Sequence, residues 1–247
     1  MRYAVITDIH GNLTALDAVL ADFRDDAVSE VWCLGDILGY GPDPNGCVER
    51  LRQLPRNRCL VGNHDWAVLG KLDISDFNTD ARQAVLWTRE QLTRQNWEYL
   101  DKLPARLGPV AEEFTLAHAS PRYSIWEYVL SPATAALNFD YFDTPYCFIG
   151  HTHVPIIYRQ LRDRDVVEMI KPEPDTPFPL GQDRLIINPG GVGQPRDGDP
   201  RASYTLLDTE ERTIEFRRVL YDVEEVQERM IKASMPPRLI ARLSYGL

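Results

Sequence analysis

The chain has 247 residues, 44% of them hydrophobic, and a formal charge of −10. That length allows one large domain or two small ones with a sizeable core, and the acidic balance argues against broad electrostatic binding of nucleic acid, which needs a basic face. A small anionic substrate stays compatible, because bound metal ions dominate the local field of a site.

Residues 3–7 read as a buried strand, an apolar run too short for a helix. Asn12 can cap the helix that follows, whose apolar face is Leu13, Leu16, Ala18, Val19, Leu20 and Phe23. Residues 31–34 form a second strand. Gly39-Tyr40-Gly41-Pro42-Asp43-Pro44 is a loop by its glycines and prolines. A helix from about 45 to 53 and a strand over 58–61 complete an alternation that is α/β grammar. From Asp65 to about Leu103 the pattern is helical, with Ala81, Ala84, Val85, Thr88 and Leu92 at three- and four-residue spacing. This stretch is expected to be a helical flap, about 66–103, beside the site. Residues 114–118 and 146–149 are strands, and Ser131-Pro132 opens a helix to about Phe142.

Beyond His153 strands dominate: 156–160, 166–170, 184–187, 202–207 and 213–219. Pro172, Pro174, Pro177 and Pro179 mark an exposed loop between two of them. A last helix runs over about 222–233 and stops at Pro236-Pro237; the tail to Leu247 has no assigned structure. No repeat or low-complexity linker interrupts the chain. The expected fold is α/β in one domain spanning 1–247. It is a four-layer αββα sandwich of two packed mixed β-sheets with flanking helices, the functional site lying at strand ends.

The four cysteines form no CxxC pair, and Cys33, Cys59 and Cys147 sit in apolar runs as inert buried thiols. A reducing, cytoplasmic setting is expected, with neither a signal peptide nor a membrane span.

The chemistry gathers where strands end. The first strand runs into Asp8-Ile9-His10-Gly11, the second into Gly35-Asp36, the third into Gly62-Asn63-His64-Asp65. The later ones run into His118 and Gly150-His151-Thr152-His153. All five histidines lie in these segments, whereas chance would scatter some onto helices and surface loops. A lone HxH or DxH is weak evidence, but the ordered set is specific. Mixed oxygen and imidazole ligands without thiolate suit Mn, Fe, Zn, Co or Ni rather than a structural zinc.

These motifs resemble the calcineurin-like metallophosphoesterases, in particular their small bacterial branch. The resemblance extends from Asp8 to Asn188-Pro189-Gly190-Gly191-Val192-Gly193-Gln194-Pro195-Arg196 and the strand after it. It implies two divalent ions, one held by Asp8, His10, Asp36 and His153. The other would be held by Asp36, Asn63, His118 and His151, with Asp36 bridging. It also implies hydrolysis of a phosphate ester by in-line attack of a bridging hydroxide, with His64 as general acid or as a donor to the phosphoryl group. The alternative is a histidine that only supports the ligands. Protein phosphatases of the superfamily carry GDxxDRG, whose second aspartate orients the catalytic histidine. Here Gly39 and Tyr40 stand at the Asp and Arg positions, which weakens a Ser/Thr phosphatase reading; the orienting partner of His64 comes from elsewhere, Asp65 adjoining it in sequence, or is missing.

Three further residues are candidates for substrate contact, each with a structural alternative. Asn12 is a helix cap or an amide on substrate. Arg122 and Arg196 are bidentate phosphate contacts or surface ion pairs. Tyr40, Trp66, Phe77, Trp87, Tyr123 and Trp126 are aromatics near the ligand segments, available to stack on a base or to fill the core. The expected partner is a small phosphorylated substrate, possible nucleotide types including a dinucleoside polyphosphate or a cyclic nucleotide. Neither nucleic acid in bulk nor a membrane is expected, and Ile74 or Phe77 offers an apolar contact for a homo-oligomer. The rivals are a Ser/Thr protein phosphatase and, in another class, a non-catalytic scaffold of the same fold. A metal amidohydrolase also uses HxH, but normally after the first strand.

Overall fold

Strand β1 (Arg2–Ile6) is buried on both faces, and the molecule is layered outward from it. The computed structural model of the protein describes residues 1–162 and 166–247. β1 pairs in parallel with β2 (Val28–Cys33), which pairs in parallel with β3 (Asn57–Cys59). On its other side β1 runs antiparallel to β11 (Ala202–Asp208), followed by β12 (Thr213–Val219) and β9 (Pro177–Pro179), giving one mixed six-stranded sheet. The second sheet, also six-stranded, has the order β4 (Arg106–Val110), β5 (Phe114–Ala117), β6 (Tyr146–Phe148), β10 (Arg184–Asn188), β7 (Ile156–Gln160) and β8 (Val167–Ile170). In it β5, β6 and β10 are parallel.

The alternation of side chains along a strand separates the cores. Tyr3 and Val5 join Trp32, Leu34, Phe114, Leu116, Phe148 and Ile187 between the sheets. Trp32 lies 5.6 Å from the Phe114 ring and 6.3 Å from Phe148, so one indole bridges both sheets. Burying such a side chain stabilises by about 1.5–3 kcal/mol. Ala4 and Ile6 point the other way, into helices α1 (Leu13–Asp22), α2 (Pro44–Gln53), α4 (Thr79–Gln91) and α7 (Val223–Lys232). The outer face of the second sheet packs Ala117, Ile149 and Ile186 on Ala135 of α6 (Pro132–Asn138) and on Phe139. The result is helix, sheet, sheet, helix, as the sequence implied. All four cysteines are buried and free. Among the described residues no helix is long and apolar enough to cross a membrane.

Several elements differ from expectation. The proline segment expected to be a loop contains β9, an edge strand pairing Pro177–Pro179 with β12; an edge tolerates prolines because one side needs no ladder. β4, also at an edge, was not anticipated. The helical stretch begins at the site itself, with α3 (Asn63–Val68), and continues through α4 and α5 (Arg94–Leu100). Ala67, Val68, Ala84, Val85 and Leu100 enter the same core as α1 and α2. Phe77 is 6% exposed and Ile74 packs on that core, so neither offers the open apolar contact expected for an oligomer. Pro237 opens a helix rather than stopping one: α8 (Pro237–Ala241) leads into a 3₁₀ turn over Arg242–Ser244.

Candidate metal centre

Parallel strands deliver their C-terminal ends to one edge of a sheet, where sites of open α/β proteins lie. Asp8 and His10 follow β1, Asp36 follows β2, and Asn63 and His64 follow β3. From the second sheet His118 follows β5, while His151 and His153 follow β6. A backbone bond ties the two sheets together there, the His151 N–H donating to Asp8 Oδ2 at 3.0 Å. Asp8, His10, Asp36, His151 and His153 all have left-handed backbone, with φ of 54°, 49°, 50°, 65° and 60°. That conformation costs about 1–2 kcal/mol per residue, least for Asp, Asn and His. Local bonds over-determine it: Asp8 N–H donates to Gly35 O at 3.1 Å and His10 N–H to Asp36 O at 2.9 Å.

Carbonyl oxygens fix the tautomers. His10 Nδ1 meets Leu38 O at 3.1 Å, His118 Nδ1 meets Leu34 O at 3.0 Å, and His153 Nδ1 meets Gln194 O at 2.5 Å. A carbonyl only accepts, so each Nδ1 carries the proton and, in the neutral ring, each Nε2 presents a lone pair. Those lone pairs converge. His10 Nε2 and His153 Nε2 are 3.1 Å apart, with Asp8 Oδ1 3.3 Å from His153 Nε2 and 3.8 Å from His10 Nε2. His118 Nε2 is 3.1 Å from Asn63 Oδ1 and 3.5 Å from Asp36 Oδ2. With metal–nitrogen bonds of about 2.1 Å, neighbouring ligand atoms sit about 3.0–3.4 Å apart in octahedral or tetrahedral geometry; most of these spacings fall in or near that range. Asp8 Oδ1 and His151 Nε2 are buried without a hydrogen-bond partner. Orphaned acceptors among facing lone pairs fit a cation, and no thiol is among them.

Asp36 is central to both groups. Its Oδ1 accepts from His64 N–H at 2.8 Å, which leaves Oδ2 to lie 3.6 Å from His10 Nε2 and 3.5 Å from His118 Nε2. Burial opposes ionisation of Asp36, but the neighbouring His118 and His64 imidazoles hold its carboxyl well below the usual range. Burial, opposed by His118 and joined by the charge of Asp36, pushes Asp8 up to about 7. Burial pushes His10, His151 and His153 well down, into the neutral form that ligates metals. His118 is the exception: burial lowers it, but Asp36 outweighs that and raises it to about 9.

His64 lies beside the cluster in an aromatic cage. Its ring is 4.5 Å from Tyr40, 4.9 Å from His10 and 5.1 Å from Phe77. Its Nδ1 is buried without a partner, and a Cβ on Gly39 would come within 3.2 Å of it. The glycine at the orienting-aspartate position therefore leaves that nitrogen bare, and packing holds the ring instead. Burial pushes His64 down to about 4. Asp65 does not supply the missing partner. Its carboxylate accepts from Leu38 N at 2.8 Å, Gly62 N at 2.9 Å and Ile37 N at 3.3 Å, bracing the loops that carry Asp36 and Asn63.

The other candidates separate. Asn12 is a buried helix cap, Oδ1 accepting from Ala15 N at 3.0 Å and Nδ2 donating to Gly193 O at 2.9 Å. Arg122 takes the ion-pair alternative, held by Glu127 and lying 5.0 Å over Tyr123. Arg196 stands next to the site, 5.7 Å over the Tyr40 ring, which itself lies 4.6 Å from His10. Tyr128 escaped the sequence reading although it stacks on His151 at 3.9 Å. Thr7, whose hydroxyl donates to Asp8 Oδ2 at 3.0 Å, escaped it too. An aromatic or hydroxyl outside a motif carries no signal of its own.

Comparison with known proteins places this geometry. Over its whole length the chain is similar to a metallophosphoesterase of Sphaerobacter thermophilus, 44% identical with a TM-score of 0.88, covering 100% of this chain and 99% of that one. An uncharacterised protein of Methanocaldococcus jannaschii is 40% identical over 98% of this chain and 97% of its own. A hypothetical protein of Pyrococcus horikoshii shares the fold, with a TM-score of 0.81 at 20% identity over 100% of this chain and 98% of that one. The calcineurin-like phosphoesterase superfamily domain matches residues 1–212. With the Asp and His clusters where that family is metal-dependent, this chain belongs to the calcineurin-like phosphoesterase superfamily and is a hydrolase of phosphate esters.

Proposed function

We propose that this hydrolase uses two divalent ions to cleave a phosphate ester of a small, nucleotide-type molecule. Asp8, His10, Asp36 and His153 would hold one ion, and Asp36, Asn63, His118 and His151 the other, Asp36 Oδ2 being shared. One observation carries the reading. Two neutral imidazoles aim bare Nε2 atoms at each other across 3.1 Å, an arrangement that is repulsive unless a cation lies against both. When bound, the ions supply a water nucleophile at neutral pH and neutralise phosphoryl charge.

The chain's own groups orient substrate and move the proton. His64 donates to the leaving oxygen from Nε2, since Nδ1 is turned toward Gly39. Burial favours its neutral form in the free protein, and a phosphoryl charge alongside favours the protonated one. Tyr40 and Phe77 keep the ring from rotating away. Asp65 holds the backbone that sets Asp36 and Asn63. The net charge of −10 disfavours long nucleic acid, and Gly39-Tyr40 disfavours a protein-phosphatase site.

The test is a hydrolysis panel with Mn, Ni, Co, Zn and Mg. It pairs chromogenic monoesters and diesters with cyclic nucleotides, bis-nucleoside polyphosphates and a phosphopeptide. Metal-dependent turnover of small esters is expected. Substoichiometric metal after reconstitution, with no turnover, would instead favour a scaffold.

A further inference from the structure

A cavity of about 750 Å³ lies against the metal-centre loops, lined among others by Tyr40, Tyr128, Asp80, Arg196, Arg238 and Arg242. Its size suits a small molecule. Two of its walls also wall the metal centre: Tyr40 touches His10 and His64, and Tyr128 stacks on His151. The cavity and the proposed reaction centre are therefore neighbours that share side chains.

Its charge is unusual for this molecule. The chain carries −10 overall, and elsewhere Arg201, Arg212, Arg218 and Arg229 are each paired with a carboxylate. Arg196 and Arg238 have no carboxylate partner among the described residues, and Asp80 is the one acidic side chain in the lining. Arg196 donates through Nη2 to Gln194 Oε1 at 3.0 Å, but its buried Nε has no partner. Arg242 donates through Nε to the terminal carboxylate of Leu247, which also lines the cavity, leaving its other donors to the cavity. Arg238, on the first turn of α8, is exposed. Burial, with the like charges of Arg196 and Arg238, pushes Arg242 down to about 10. Cations crowded around open space are stabilised by an anion among them, and planar guanidinium forks match phosphate.

The distance to the centre limits what can reach both. The Tyr40 ring is 4.6 Å from the His10 ring and 5.7 Å from the Arg196 guanidinium, so that cation lies no more than about 10 Å from the imidazole. We propose that the cavity lined by Arg196, Arg238 and Arg242 binds a second phosphate of the substrate, so that preferred substrates carry two phosphate groups. The proposal rests on the phosphohydrolase reading for the position of the first phosphate. It gives the C-terminal segment, α8 and the turn after it, the part of reading substrate.

Adenosine 5′-phosphate and adenosine 3′,5′-bisphosphate are suitable probes, differing by one phosphate. Binding to the manganese-loaded full-length protein is measured by calorimetry, with turnover followed in parallel. The bisphosphate is expected to bind at least about tenfold tighter, a charge-assisted hydrogen bond being worth that much. Arg238→Met should reduce that advantage, and Arg238→Met with Arg242→Met should abolish it. Arg238 is exposed, so the single variant tests the idea even if the double variant is poorly folded. Equal affinity of the wild-type protein for both probes, or an unchanged ratio in the variants, overturns the proposal. Intact discrimination without turnover of any ester would instead overturn the hydrolase mechanism and leave the pocket standing.

Discussion

Gly62→Ala isolates the geometry of Asp36 from its chemistry. Gly62 has φ −108° and ψ −174°, extended backbone that alanine adopts without strain. A Cβ there would stand 2.0 Å from Asp36 Oδ1, 2.6 Å from its Cγ and 2.6 Å from its backbone nitrogen. Side-chain rotation cannot relieve all three contacts, so the residue must move as a unit. Reaching even a tight 3.0 Å requires Oδ1 to shift by about 1 Å. Metal–ligand distances tolerate about 0.2 Å. Lesser disturbances around a metal site cost about 10–100-fold in affinity, and a carboxylate shared by two ions disturbs both. The expected loss is at least about 100-fold in manganese affinity, about 2.8 kcal/mol. Calorimetric titration of the chelated protein measures it, and the melting point of the metal-free variant separates it from general damage. A variant that binds two equivalents with wild-type affinity would refute a metal-bridging Asp36.

Metal should also stabilise the native protein. At a free concentration 100 times Kd each ion adds about 2.7 kcal/mol, or about 5–11 °C in Tm for a chain of this size; a flat Tm across a manganese titration would count against the centre. His64→Asn is expected to keep its metal content and lose about 10²–10⁴ in turnover; full activity on an ester with a poor leaving group would remove the proton-donor role. Asp65→Ala deprives three backbone N–H groups of their carboxyl acceptor. It should cost about 3 kcal/mol or more, seen as a lower denaturation midpoint and weaker manganese binding.

The gathering of these aspartates and histidines was legible because five histidines sit directly beyond apolar strands, and strand ends are where a parallel sheet gathers its loops. The edges were not. Pro177 and Pro179 break a central strand but not one whose outer side meets no neighbour, and β4 carries Gly108 and Pro109 in the same edge setting. Asp65 invited the idea of a partner for His64 through adjacency. As the third residue of α3 it instead reaches back to Gly62 N–H, as a capping carboxylate does. Arg238 and Arg242, four apart after Pro237, held a readable helical signal in the tail, while their approach to Tyr40 depends on tertiary packing.

The left-handed turns that present the ligands narrow what evolution can substitute there. If Asp8, His10, Asp36, His151 and His153 hold the proposed ions, a replacement there must both donate to a cation and tolerate positive φ. Glutamate and cysteine meet the first demand more readily than the second, and β-branched residues meet neither. On that reading the main chain favours aspartate, asparagine and histidine as donors, whichever ion is bound. A thiolate ligand at any of these positions would carry a backbone cost that is least for aspartate and histidine.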